Sequence, residues 1–214
     1  MCKPSTSTYC LPPTFKDFED AAKPFLTIAS DTTKEPNEKR KASEEIGTLA
    51  AIQYNADRHG LTFSASQAAH EEFRGPHVVD LTYKTSTGAI EIKEAKGGSS
   101  SYGERNSHLH GKKVKQCTVE YTETIIDLMK GSNYKGRHPE AACAAHTGAP
   151  DGKCGDCKSA ERKRRRKSGS DMSIALSLDN IEKHAVRGNY DGDCLKKPEK
   201  IEAYKIVGGK PVPV

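Results

Sequence analysis

The residues best placed to act together are Asp80, Glu94 and Lys96. They lie on two runs of β-forming residues, 78–83 (VVDLTY) and 89–96 (AIEIKEAK), joined through Thr85-Ser86-Thr87-Gly88. A glycine closing a three-residue loop suits the left-handed position of a type I turn plus bulge. With Ser86-Thr87-Gly88 as the loop, Thr85 faces Ala89, and counting back from that pair sets Asp80 opposite Glu94. Side chains alternate along a strand, so Lys96 falls on the same face as both. Glu91-Ile92-Lys93 repeats the acid-x-Lys spelling, but in this register it points to the other face. A bulge would exchange the two triplets.

Two facing carboxylates repel. A hard divalent cation, Mg²⁺ or Mn²⁺, relieves that repulsion, with Asp80, Glu94 and the carbonyl of Ala95 as oxygen ligands. Such an ion polarises a phosphate and acidifies its bound water. Lys96 would hold the attacking water or stabilise charge in the transition state. A surface hairpin with interleaved Lys and Glu carries the same letters, and the residues alone leave both accounts open.

The elements that must position these groups are partly legible. Residues 37–59 form the best helix, with Ile46, Leu49, Ala50, Gln53 and Tyr54 as an inner stripe and Gly60 as its stop. Glu45 shares a side with Leu49 and Ile52 and so borders the apolar face, while Glu44 points further away. Thr14 with Asp17 resembles an N-cap for an earlier helix carrying Phe15, Phe18, Ala22 and Phe25. Residues 99–115 read as a polar loop with four basic residues, its His108 and His110 lying at the surface. A helix over 116–130 buries Val119, Ile125, Ile126 and Met129 and ends at Gly131. Residues 131–170 read as a long loop, 172–178 (MSIALSL) as a half-buried strand of period two, and 200–207 as another strand before a Gly208-Gly209 turn.

Composition sets outer bounds. The chain has 214 residues, 34% hydrophobic and 6% aromatic, without Trp. One α/β core with polar appendages fits that balance. The net charge of +5 is concentrated at 158–168, where seven basic side chains accompany one acid. Such a run neutralises phosphates on a polyanion, or forms a solvated linker. No segment has the roughly 18–20 apolar residues of a membrane span, and the first residues lack the apolar run of a signal peptide. Seven cysteines at irregular spacing do not make a disulfide framework. Cys154 and Cys157, with Cys143, His138 and His146 upstream, are the candidates for zinc, for a disulfide, or for free thiols in a loop.

The segment Gly75-Pro76-His77-Val78-Val79-Asp80-Leu81 followed by Glu94-Ala95-Lys96 resembles the motif of the PD-(D/E)xK, restriction-endonuclease-like nucleases. The longer set, from Glu94-Ala95-Lys96-Gly97-Gly98 through Gly103-Glu104-Arg105 to Gln116-Cys117-Thr118-Val119-Glu120-Tyr121, is similar to the toxin nuclease domains of bacterial polymorphic toxin systems. The similarity covers roughly residues 40–130, under half of the chain. It implies an α/β fold with a central mixed sheet flanked by helices, and hydrolysis of DNA by a metal-activated water. Glu45 would complete the metal site, and Gln116 would orient Lys96 or the substrate. Arg105 and Tyr121 would contact DNA or brace the site, with Lys112 and Lys113 of the basic loop beside them. The family pattern has Gly where this chain has Cys117.

The expected organisation is an N-terminal arm and helix over 1–36, a nuclease core over 37–130, a polar basic insertion over 131–171, and C-terminal strands over 172–214 that complete or cap the core. The resemblance implies an antibacterial effector neutralised by a cognate immunity protein, with no membrane partner. It would be cytoplasmic in the producer, exported without a signal peptide, and active in the target-cell cytoplasm. A repair or phage-defence nuclease, or a non-catalytic nucleic-acid-binding module built on 158–168, are the alternatives.

Overall fold

The computed structural model describes residues 11, 15–73, 78–131, 155–192, 194–208 and 210–214. It is a mixed α/β structure whose six-stranded mixed sheet is flanked by helices. The helices are α1 (Lys16–Ser30), α2 (Pro36–His59), α3 (Phe63–Ala69), α4 (Val119–Lys130) and α5 (Gly155–Ser177). The six strands are β1 (His70–Glu72), β2 (Leu81–Lys84), β3 (Ile90–Gly97), β6 (Ile181–Gly188), β9 (Glu199–Val207) and β10 (Lys210–Pro213), hydrogen-bonded in that order. Two ribbons, β4 (Glu104–Asn106) with β5 (Lys113–Lys115) and β7 (Tyr190–Asp191) with β8 (Cys194–Leu195), stand apart from the sheet.

The turn of the β2–β3 hairpin has the expected form. Thr85 N–H donates to the Ala89 carbonyl at 2.9 Å, Gly88 N–H donates to the Thr85 carbonyl at 3.0 Å, and Gly88 has φ +84°. Strands β3 and β6 run parallel, because Ile90 N–H donates to the Asn180 carbonyl at 3.1 Å and Gly98 N–H to the Gly188 carbonyl at 2.9 Å. The β9–β10 pair is antiparallel.

The chain clusters into two compact units. The first comprises Met1–His70, Lys93–Ser101 and Lys183–Ala203, and the second Glu71–Ile92, Tyr102–Glu182 and Tyr204–Val214. In the first, α1 presents Phe18, Ala22 and Leu26 at helical spacing, all buried, and the Phe18 and Phe63 rings meet with centroids 6.2 Å apart. Helix α2 opens on a capping box between Glu35 and Glu38, with Pro36 in its first turn, and stops at Gly60 with φ +64°. In the second, Ile90, Ile92 and Ile181 of the strands join Ile125, Ile126, Met129, Met172 and Tyr204 in one core.

Several expectations are corrected. Residues 172–178 are not a strand: Met172, Ala175 and Leu176 face inward at helical spacing, and Ile174 and Leu178 are exposed. The period-two pattern was also an i, i+3, i+4 stripe. Helix α5 likewise replaces the later part of the expected loop at 131–170, whose residues 132–154 lie outside the described ones. The polar segment 99–115 contains the β4–β5 ribbon, pairing Glu104 with Lys115 and Asn106 with Lys113. The first helix starts at Lys16, and Phe15 at its cap makes no side-chain capping bond. Thr14, the expected cap, lies outside the described residues. Strand β6 was not expected at all. No helix among the described residues is long and apolar enough to cross a membrane.

Candidate functional site

Strand β3 is buried along most of its length, so it lacks the in-out alternation of a surface hairpin. Glu91, Lys93 and Glu94 are each 3% exposed or less. That removes the account of the hairpin as an exposed strand with interleaved charges. Ionised side chains are seldom fully buried unless paired, because removing them from water is costly.

Helix α2 identifies the two faces. Lys93 Nζ lies 5.4 Å from the centre of the Tyr54 ring. A Cβ added at Gly97 would overlap the Ser43 carbonyl, and one at Gly47 would stand 2.7 Å from the Lys96 carbonyl carbon. A Cβ at Gly188 would stand 2.7 Å from the Ile46 carbonyl oxygen. Glycines on the helix and on both strands thus let α2 rest directly on the backbone of β3 and β6. Lys93 and Gly97 share the face toward α2, and alternation places Glu94 and Lys96 on the other.

On that other face lies a compact charge cluster. Lys183 Nζ donates to Glu94 Oε2 at 3.0 Å, and Lys96 Nζ stands 3.5 Å from Glu94 Oε1. The side chains of Glu94, Lys183 and Lys96 are 3%, 2% and 11% exposed. One carboxylate is therefore bracketed by two ammonium groups. In this structure Lys96 and Lys183 compensate the charge of Glu94. Lys183 was missed because strand β6 was missed. The alternation Ile181-x-Lys183-x-Ala185 within IEKHAVRG was the available signal.

Toward α2, Tyr54 OH lies 3.5 Å from His184 Nδ1, and their rings are 5.8 Å apart. His184 is fully buried. Its contact with Tyr54 was not foreseen, since it too depends on strand β6.

Glu45 is half-buried on α2, and Glu44 is exposed, as their positions on the helix required. Asp80 is half-buried, but it precedes β2 rather than sitting within it. Val78 and Val79, both buried, also precede the strand, so the expected alternation over 78–83 does not hold at its start. The Asp80 carbonyl still accepts the Phe73 N–H at 2.9 Å. Gly75, Pro76 and His77 of the motif lie outside the described residues.

Comparisons of the chain with family models, with curated proteins and with solved structures found no match.

The residues expected on the nucleic-acid side form a braced group in the second unit. Gln116 accepts the Gly103 N–H at 2.6 Å through Oε1 and donates to Tyr121 OH at 3.3 Å through Nε2. The Arg105 guanidinium stands 5.7 Å from the centre of the Tyr121 ring. Gln116 therefore ties Gly103, just before β4, to Tyr121, and Arg105 stands over that ring. Lys112 donates to Glu120 at 3.3 Å, and Lys113 is exposed on β5. The Glu120 carboxyl is held below its usual range, first by a backbone hydrogen bond and then by Lys112. Cys117, where the family pattern has Gly, has φ +68° and is buried. Glycine relieves the strain of that left-handed conformation. Cys154 lies outside the described residues, and the side chain of Cys157 is not among those described.

Proposed function

We propose that the chain is a metal-dependent nuclease that hydrolyses DNA phosphodiesters with Glu94 and Lys96 at its centre. The observation that carries this reading is the burial of Glu94 between Lys96 and Lys183 on β3 and β6, on the face opposite the one that α2 covers. Buried ion pairs are weak stabilisers, since desolvation offsets much of the Coulomb gain. A buried charge cluster of this kind therefore needs a reason other than stability. The order of elements also supports it: a helix carrying Glu45, a hairpin carrying the acid-x-Lys triplet, then the α4 helix.

The donor set suits a hard cation in type. Glu94 and the Ala95 carbonyl offer oxygen. Mg²⁺ or Mn²⁺ held there would polarise the phosphate and acidify water. Lys96, the more exposed of the two lysines, meets the substrate and steadies negative charge as it develops. Lys183 keeps Glu94 in place. Gln116 and Arg105 hold the Tyr121 ring, and this group meets the DNA backbone. The sequence resemblance extends the reading to an antibacterial effector restrained by an immunity protein.

The test is plasmid cleavage by the purified protein with Mg²⁺ or Mn²⁺, against EDTA and Lys96→Ala controls. Metal-dependent nicking that falls at least about 100-fold in the variant supports the reading. Intact plasmid with a folded sample and either metal rejects it. Lethality on cytoplasmic expression, lost in Lys96→Ala, tests the effector role separately.

A further inference from the structure

We propose that the outer face of α5 is a DNA-backbone anchor made by Arg162, Lys163 and Arg166. The seven basic residues at 158–168 are not equivalent once the helix forms. Arg164 turns inward: its Nε and Nη2 each lie 2.9 Å from Glu161, Nη2 donates to the Glu72 carbonyl at 2.8 Å, and the guanidinium covers the Phe73 ring at 4.5 Å. Arg165 is 1% exposed and donates to the Leu128 carbonyl. Lys167 is held by Asp171 at 2.8 Å, and that hydrogen bond raises its pKa. Arg162, Lys163 and Arg166 are exposed, and among the described residues no carboxylate pairs with them.

These three cations are pre-positioned; the side chain of Lys158, the seventh basic residue, is not among those described. Gly169 brings α5 close to α4, since an added Cβ would stand 2.9 Å from Lys130 N and from Met129 Cβ. Met172 and Ala175 fix the same inner face in the core. The helix orientation is therefore set before any ligand arrives, which reduces the ordering cost of binding. Arg162 and Arg166 are one turn apart, an axial rise of about 6 Å, with Lys163 beside them. Among the described residues no aromatic side chain lies on this face, and its exposed apolar residue, Ile174, is three turns beyond Lys163. A row of exposed cations suits a row of phosphates.

The choice of DNA rests on the nuclease reading, but the binding does not require catalysis. The experiment uses the full chain carrying Lys96→Ala, in EDTA, titrated against a short labelled DNA duplex over a series of KCl concentrations. Arg162→Gln, Lys163→Gln and Arg166→Gln together should reduce the slope of log K against log salt by about three. A matched charge loss at the exposed Lys16, Lys23 and Lys41 should change it by less than about one. Circular dichroism checks that both variants stay folded. An unchanged slope in the first variant, or an equal loss in the second, overturns the proposal. So does preferential binding of duplex RNA or of poly-glutamate, which would assign the face to RNA or to an acidic protein. Because no cleavage is read, failure here and failure of the nuclease reading are distinguishable.

Discussion

Lys183 and Glu94 form an ion pair with Nζ and Oε2 3.0 Å apart, and neither side chain is more than 3% exposed. Removing one partner leaves the other buried with less compensation. Lys183→Met should therefore destabilise the protein by about 3 kcal/mol. Lys183→Met combined with Glu94→Leu should cost clearly less than the two single changes added together. Urea denaturation of the four proteins checks this. Additive single costs would mean that the pair has no energetic coupling.

The sequence revealed this site unevenly, for physical reasons. Gly60 and Gly88 mark a helix end and a turn through local backbone geometry, and each has the left-handed conformation that favours glycine. The border position of Glu45 follows from helical angle alone. Lys183 was not legible, because its relation to Glu94 depends on a parallel strand 89 residues away. Gly47 was not legible either, since a glycine within a helix acquires meaning only from what rests on it, here the backbone at Lys96. The segment 172–178 failed differently: its apolar residues fit two periods, and the packing of Met172 and Ala175 chose the helical one.

Cys117 combines burial with φ +68° immediately before the Thr118 cap of α4. Cys117→Gly should lie within about 1 kcal/mol of the parent, because relief of left-handed strain offsets the lost side chain and the added chain entropy. Cys117→Val should be at least about 2 kcal/mol less stable than Cys117→Gly, since a β-branched residue tolerates this conformation poorly. Thermal melts of the two variants give the comparison. Equal stability would show that the conformation costs nothing.

Asp127 accepts a hydrogen bond from His108 at 2.8 Å, and that bond, opposed by partial burial, is the first cause of its lowered pKa. A carboxylate with a depressed folded pKa binds its proton more readily when unfolded. Its contribution is therefore present above its ordinary value of 3.8 and is lost as pH falls through the lower folded value. The group is 41% exposed, so solvent screening keeps the effect small. Asp127→Asn should slightly flatten the acid limb of a stability-pH curve below about pH 5 and leave its shape near neutrality unchanged. A larger change at neutral pH than in acid would contradict this assignment.

The contact between α2 and β3 gives the most demanding test, because it joins packing to chemistry. Gly97 follows Lys96, and an added Cβ would overlap the Ser43 backbone of α2. Backbone on both sides leaves no flexible side chain to yield, so the helix or the strand end must shift. Gly97→Ala should destabilise the protein by about 2 kcal/mol or more, in the range of overpacked cores. Gly60→Ala is a useful comparison: it too has a left-handed conformation to strain, at φ +64°, but nothing lies within 4 Å of the added Cβ. If Lys96 is catalytic, Gly97→Ala should also lower cleavage more than Gly60→Ala does when each is assayed well below its own melting temperature. A displacement of about 1 Å at the reacting groups is enough to cost on the order of 100-fold in rate. Full cleavage by a folded Gly97→Ala protein would show that the chemistry does not depend on the position of this strand end, and would count against Lys96 at the centre.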